Sequence, residues 1–407
     1  MKVAVIGGGS TYTPELVSGL TRLDVSQFVL HDIDPERREV VGGLARRMLE
    51  RQRFQGSLEI TDDLDRAVEN ADFVLVQIRV GGQSARLADE TFPLPCGCIG
   101  QETTGAGGLA KALRTVPVVL EIAERARELA DAWIVDFTNP VGIVTRALLE
   151  DDHRAIGLCN VAIGFQRHWA GWLGVEPSRV IVDQVGLNHL TWVRRVLVDG
   201  DDVLAKLLAE HGDEIAGGLD LPRRLLDELG AVPSYYLRYF YAHDEVLRGQ
   251  LDGVPRAQVV ADIERELLEL YRDPTLVEKP PLLERRGGAF YSEAALGLVA
   301  SLVSGDGGVH EVDVRNDGTL AGLADDDVVE VPAYVTEDGA APLKQAPLAP
   351  ELLGLVQHVA AYERLAVRAA RSRDPLDVKK ALLTHPLIGQ YAVAEDLLDR
   401  MAAEVLA

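Results

Sequence analysis

The sequence predicts an α/β protein: a doubly wound parallel sheet of the Rossmann type at the N-terminus, then a mixed α+β, mostly helical C-terminal half. Three observations predict it. Short apolar runs alternate with stretches of helical spacing through roughly the first 150 residues. A glycine-rich "GGGSTY" follows the first apolar run and opens a helix, and an acidic residue closes the second run. After about residue 170 the alternation stops and long helical stretches take over. At 407 residues the chain exceeds one small core, so we expect two closely packed domains, 1–170 and 171–407.

The elements follow in order. "KVAVIG" reads as a buried strand and "PELVSGLTRL" as a helix. "QFVLHDID" is a second strand, and "PERREVVGGLARRMLERQ" has helical spacing with proline at its start. "SLEIT", "ADFVLVQI" and "AWIVDFTNP" read as further strands, with the long helical stretch "LAKALRTVPVVLEIAERARELA" before the last. "RVIVDQVGLNHLTWVRRVLVDG" reads as two strands running into a turn at "DGDD", so an antiparallel element follows the parallel sheet. "LPRRLLDELG", "SYYLRYFYAHDEVLRG", "RAQVVADIERELLELYRD" and "SEAALGLVASLVSG" read as helices. "VHEVDVRNDG" and "DVVEVPAYVTEDG" form a β pair before a helical C-terminus from about Pro350.

Composition narrows the function. The net charge of −23 argues against non-specific binding to nucleic acid or to an anionic membrane surface. An anionic small molecule would need a local pocket of arginine, the commoner basic residue here. The chain has no apolar run of about 18 residues or more, so we expect no membrane span. The opening "KVAVIGGG" leads straight into a strand, and three cysteines make no disulfide framework. Both suggest a reducing cytoplasm.

The glycine turn points to a dinucleotide. Gly7 and Gly9 let the backbone approach a pyrophosphate, and Ser10 and Thr11 lead into a helix N-terminus. Tyr12 stands where a third glycine is usual. Asp32 ends the second strand, where a carboxylate binds ribose hydroxyls and disfavours a 2′-phosphate, so NAD is expected over NADP. Polar residues also gather at other strand ends: "RVGGQSAR" with Arg86, the loop "GCIGQETTGAGG", and Asn139 in "DFTNPVG". In an open α/β sheet such ends face one ligand crevice.

Cys159 in "IGLCNV" and His189 in "GLNHL" each neighbour an asparagine. Each residue alone is more often structural. Together they are half of a coordination sphere, whose remaining positions a substrate's oxygens could take. A thiol nucleophile is the rival, although nothing near Cys159 resembles a thiol-protease signature. Cys96 and Cys98 in "PCGCIG" read as loop thiols without a role. The residues alone leave these readings open.

"AVIGGGSTYTPELV", "RVGG", "GQETTGAGG", "DFTNPVG", "IGLCNV", "GLNHL", "YYLRYF", "RRGGAFYS" and "LLTHPL", in that order, resemble the NAD- and metal-dependent family 4 glycoside hydrolases. The likeness runs from residue 1 to the C-terminal helices and is closest to the 6-phospho-β-glucosidases, because Asn160 follows the cysteine. The fold implied is lactate/malate dehydrogenase-like, with NAD on 1–170 and metal, substrate and oligomer contacts on 171–407. The resemblance implies that Cys159 and His189 hold a divalent ion, Mn²⁺ by expectation. Tyr236 would be the base, and Glu102 would raise its basicity. Arg86, Asn139, Asn160 and Arg286 would contact substrate. The substrate implied is a 6-phosphorylated β-glucoside or disaccharide, cleaved after transient oxidation at C3 and proton loss at C2. A homodimer or homotetramer is implied as well.

Some residues leave room for other outcomes. Without the resemblance, Tyr236 is one ring in an aromatic face with Tyr235, Tyr239, Phe240 and Tyr241, and Tyr235 competes for the base position. Arg86 and Arg286 could be ion-pair partners in so acidic a chain. Ala162 replaces the proline common after "CNV", which alters loop stiffness. The competing functions are a family 4 enzyme on unphosphorylated α-galactosides or glucuronides, an NAD-dependent 2-hydroxy-acid dehydrogenase, and a non-catalytic NAD sensor.

Overall fold

The computed structural model describes residues 1–287 and 290–404. Gly288 and Ala289 of "RRGGAFYS" and the last three residues of the 171–407 half lie outside the described residues. The strands are β1 (Lys2–Ile6), β2 (Gln27–His31), β3 (Ser57–Thr61), β4 (Phe73–Val76), β5 (Trp133–Asp136), β6 (Ala155–Gly157), β7 (Val180–Leu187), β8 (Leu190–Val198), β9 (Asp201–Asp202), β10 (Val232–Pro233), β11 (Gly308–Arg315), β12 (Val328–Thr336) and β13 (Gly339–Pro342). All belong to one sheet, ordered β10-β8-β7-β12-β11-β6-β5-β4-β1-β2-β3, with β13 on β12 and β9 on β8.

The stretch β3-β2-β1-β4-β5-β6 is parallel throughout, the Rossmann order expected from the alternating pattern. Its central strands are apolar and buried because helices cover both faces. From β6 onward every pairing is antiparallel. The sheet thus continues across residue 170, and the helix Val161–Leu173 spans that position.

Three details place the site. The hairpin β7–β8 turns at Asn188–His189, between the paired Leu187 and Leu190, and the expected turn at "DGDD" joins β8 to β9, with Val198 paired to Asp201. His189 has φ +63°, a left-handed conformation uncommon for a residue with a side chain. The stretch "SYYLRYFYAHDEVLRG" is not one helix. It breaks into a 3-10 turn Tyr235–Leu237 and helices Arg238–Tyr241 and His243–Asp252. The cause is tertiary. The Ser234 amide donates to the Thr191 carbonyl at 2.8 Å and its hydroxyl donates to the His189 carbonyl at 3.3 Å. These bonds fix the start of the stretch on the hairpin, and the helices part at Ala242, with φ −130°.

Finally, the helix Arg256–Tyr271 packs Ile263, Leu267 and Tyr271 against Val40, Val41, Leu44 and Met48 of the helix Pro35–Arg51. The Tyr271 hydroxyl donates to the Thr11 carbonyl at 2.7 Å. The C-terminal half therefore closes over the glycine turn.

Candidate active site

A cleft of about 800 Å³ opens at the carboxyl ends of the parallel strands. It is lined by Gly7, Gly9, Ser10, Asp32 and Asn139, among others. Gly7 has φ +85°, and a Cβ there would come within 2.7 Å of the Gln77 carbonyl oxygen. A Cβ on Gly9 would meet the Asp32 carboxylate at 2.7 Å. Only glycine fits either place, which keeps the turn open to a ligand. The Gly9 amide donates to Asp32 Oδ2 at 2.8 Å and the Asp34 amide to Oδ1 at 3.0 Å. Asp32 is held in place with acceptor capacity left for hydroxyls. Asn139 Oδ1, at the same rim, is buried without a hydrogen-bond partner among the described residues. Thr11 is fully buried below the turn. A cradle with no room for a Cβ, a fixed carboxylate and an orphaned amide oxygen fit a bound NAD.

Cys159, His189 and Tyr236 come from three parts of the chain; His189 and Tyr236 line a second, smaller cavity and Cys159 a third. Cys159 lies just past β6, His189 in the β7–β8 turn and Tyr236 in the turn after β10. The His189 and Tyr236 rings stack with centroids 3.6 Å apart and planes 12° from parallel. Asn188 links the group to the sheet: its amide donates to Glu330 Oε2 at 2.9 Å, and it favours the Cys159 thiolate. Tyr235 points elsewhere. It is exposed, under the Arg238 guanidinium at 4.1 Å from its ring centroid.

Burial controls the protons. It pushes the His189 imidazole down to about 3, so the ring is neutral. Burial, and then the Glu330 charge, push the Cys159 thiol well above its usual value. Burial likewise raises the Tyr236 phenol well above its usual value, with Cys159, Tyr239 and Glu102 adding to the effect and Arg86 opposing it. Among the described residues no group of three or more His, Cys, Asp or Glu is placed to hold a metal ion. The neutral imidazole of His189 and the thiol of Cys159 are of a chemistry that fits a divalent ion keeping positions for substrate oxygens.

Glu102 sits at the back, buried, in contact with Arg79, with Arg86 at 3.1 Å and with Lys111 at 2.5 Å. Burial alone would raise its carboxyl, but Arg79, Lys111 and Arg86 hold it well below the usual range. Arg86 also pairs with Glu90 at 2.7 Å. Arg286 lines the nucleotide cleft, held by Glu264 at 2.6 Å, with its guanidinium 4.9 Å from the Tyr12 ring centroid. Both arginines are thus ion-paired; Arg286 lines the cleft, and Arg86 lies behind it with Glu90 and Glu102. Asn160 stands at the N-cap position of the helix Val161–Leu173, directly after Cys159. Ala162, where a proline is common, is buried in the first turn of that helix. Cys96 and Cys98 are free thiols in a separate loop.

Sequence reasoning missed Thr103, Lys111, Asn188, Tyr291 and Glu330. Glu330 left a signal: it is a charge in the otherwise apolar strand "VVEVPAYV". Burial there raises it to about 7, while Asn188 and Gln184 donate hydrogen bonds that favour the anion. Tyr291 lines the cleft near Cys159 and Tyr236.

The model of the family 4 glycosyl hydrolases matches residues 2–175, and the model of that family's C-terminal domain matches residues 184–388. A Bacillus subtilis protein named "Probable 6-phospho-beta-glucosidase" is 40% identical over 421 residues, covering 98% of this chain and 95% of that one. The 6-phospho-beta glucosidase from Thermotoga maritima, solved with manganese, NAD⁺ and glucose-6-phosphate, superposes with a TM-score of 0.92 at 36% identity, covering 99% of this chain and 98% of that one. A lactate dehydrogenase from a Medee basin deep-sea metagenome library shares only the fold, with a TM-score of 0.59 at 14% identity over 91% of this chain and 98% of that one. With both family models together spanning nearly the whole length, the chain belongs to family 4 of the glycosyl hydrolases.

Proposed function

We propose that this chain hydrolyses 6-phospho-β-glucosides by a transient redox route that uses NAD and a divalent ion, with manganese the candidate. The observation that carries this reading is the stacking of His189 on Tyr236, with Cys159 near enough to act on the same phenol. Its specificity is motivated by the 6-phospho-β-glucosidase names of the relatives. When bound, NAD⁺ supplies a hydride acceptor for the sugar's C3, and a divalent ion on Cys159 and His189 supplies Lewis-acid charge beside the C2 and C3 oxygens.

The chain's own residues do the rest. Oxidation at C3 acidifies the proton on C2, and Tyr236 accepts that proton at its phenolic oxygen. A phenol is a base only as its phenolate, and the burial of Tyr236 opposes that form. Positive charge next to the ring is therefore a requirement of the role. Arg86 is the cationic side chain that already favours the phenolate. Glu102 balances Arg79, Arg86 and Lys111 behind it and acts on Tyr236 by its negative charge. Proton loss at C2 would drive out the C1 substituent, water would add at C1 with a proton returned to C2, and the hydride first taken from C3 would return there, leaving no net oxidation. Asn139, Asn160 and Arg86 hold the sugar, and Arg286 binds the 6-phosphate in exchange for part of its contact with Glu264. The reading extends to a symmetric homodimer or homotetramer in the cytoplasm.

The test is a panel of chromogenic β-glucosides, with and without a 6-phosphate, assayed with NAD⁺ and Mn²⁺. We expect hydrolysis only with both additives and no accumulation of reduced nicotinamide. The phosphorylated sugar should be preferred, because its phosphate adds charge-assisted bonds to Arg286 beyond the one that Glu264 already makes. Arg286→Ala should shrink that preference. Equal rates on both sugars with Arg286→Ala silent would defeat the phosphate assignment, and net NADH formation would favour a dehydrogenase.

A further inference from the structure

Histidine binds a metal through one ring nitrogen, and which one is free depends on what the other is bonded to. Here that can be deduced from fixed donors. His189 Nδ1 lies 3.0 Å from Thr103 Oγ1. Thr103 Oγ1 lies in turn 2.7 Å from Gln101 Oε1. The same Gln101 atom receives the backbone amides of Thr103 and, at 3.1 Å, Thr104. Backbone amides only donate, so the Gln101 atom facing them is the oxygen, and its orientation is not a free choice. An oxygen of this kind cannot donate. The Thr103 hydroxyl must therefore give its single hydrogen to Gln101, and towards His189 it can only accept. The proton of the neutral ring then sits on Nδ1, and the Nε2 lone pair is free.

We propose that Thr103 is a positioning residue: by accepting the Nδ1 proton it holds His189 in one tautomer and presents Nε2 to a divalent cation. The proposal rests on the reading of Cys159 and His189 as metal ligands. The loop that carries Thr103 is built for it. Its next amide, Gly105, donates to His385 Nε2 at 3.0 Å, which anchors the loop to the C-terminal helices. The stacked Tyr236 ring fixes the imidazole plane from the other side. Outer partners of this kind typically change metal affinity by about 10–100-fold.

The experiment uses the full chain with ¹⁵N-labelled histidine and Mn²⁺ alone as the probe. In the metal-free wild type, His189 should show a protonated Nδ1 and an unprotonated Nε2. Thr103→Val keeps the shape and removes the acceptor. It should mix the tautomers and weaken Mn²⁺ binding, followed by the electron paramagnetic resonance of the free ion, by about 10–100-fold. NAD affinity and melting temperature should barely move, and Thr103→Ser should restore both signatures. Gln101→Met is the second variant. It frees the Thr103 hydroxyl to donate and should raise the Nε2-protonated share. An Nε2-protonated wild type, or Thr103→Val with unchanged tautomer and Mn²⁺ affinity while His189→Ala loses binding, would overturn the proposal. If His189→Ala binds Mn²⁺ as tightly as wild type, the metal reading fails, and the tautomer measurement still decides the role of Thr103.

Discussion

His189 lies flat against Tyr236, ring centroids 3.6 Å apart and planes 12° from parallel, although 47 positions of chain separate the two. The stacking puts the phenol of the candidate base against a candidate metal ligand. A cation on the imidazole would lie close enough to favour the phenolate that burial disfavours.

Tyr236→Phe keeps the stacking and removes the proton acceptor. We expect loss of solvent deuterium exchange into C2 of the sugar and a fall in kcat of about 10²–10⁴-fold. Mn²⁺ and NAD affinity should be retained. Tyr235→Phe should leave activity near wild type, since that ring is exposed under Arg238. Mass spectrometry of sugar released in heavy water checks both; full exchange in Tyr236→Phe would remove Tyr236 from the base role.

Cys159→Ser conserves shape but replaces a thiol with an alcohol that is far harder to deprotonate. Because Cys159 is buried beside Asn188 and away from the glycine turn, Mn²⁺ affinity should fall at least tenfold while NAD binding stays within about twofold. Parallel titrations of the two ligands read this out. An equal loss of both would assign the cysteine to packing.

Glu264 should contribute acid-sensitive stability. It is buried, and although burial opposes the anion, Arg286 and Arg37 draw its carboxyl from 4.5 to about 2. Between those values the unfolded chain holds a proton that the folded chain does not, so stability rises with pH across the window. The contribution is complete above about pH 4.5 and is lost as the pH falls towards 2. Its size is on the order of 3 kcal/mol. Glu264→Gln should lower the urea midpoint at pH 7 and flatten its fall between about pH 4.5 and 3. Parallel curves for the two proteins would show that the ion pairs contribute nothing.

The sequence by itself determined the nucleotide half. Strand periodicity, the glycine turn and the acidic end of β2 are local features, written in residues that are neighbours in the chain, and the parallel order follows from them. It also marked Cys159, His189 and Tyr236 through their motifs, but not their meeting. That meeting depends on β10 pairing with β8, a contact made across a long stretch of chain. The aromatic run after Ser234 shows the same limit: helical spacing suggested one helix, and the chain instead starts from Ser234 tied to the β7–β8 hairpin and parts again at Ala242. The partners that orient the site are more remote still. Thr103 reaches His189 across 86 positions and Glu330 reaches Asn188 across 142. Such contacts leave little trace in local pattern, because a polar residue's partner is chosen by the packing of whole elements. The tertiary structure alone decided them.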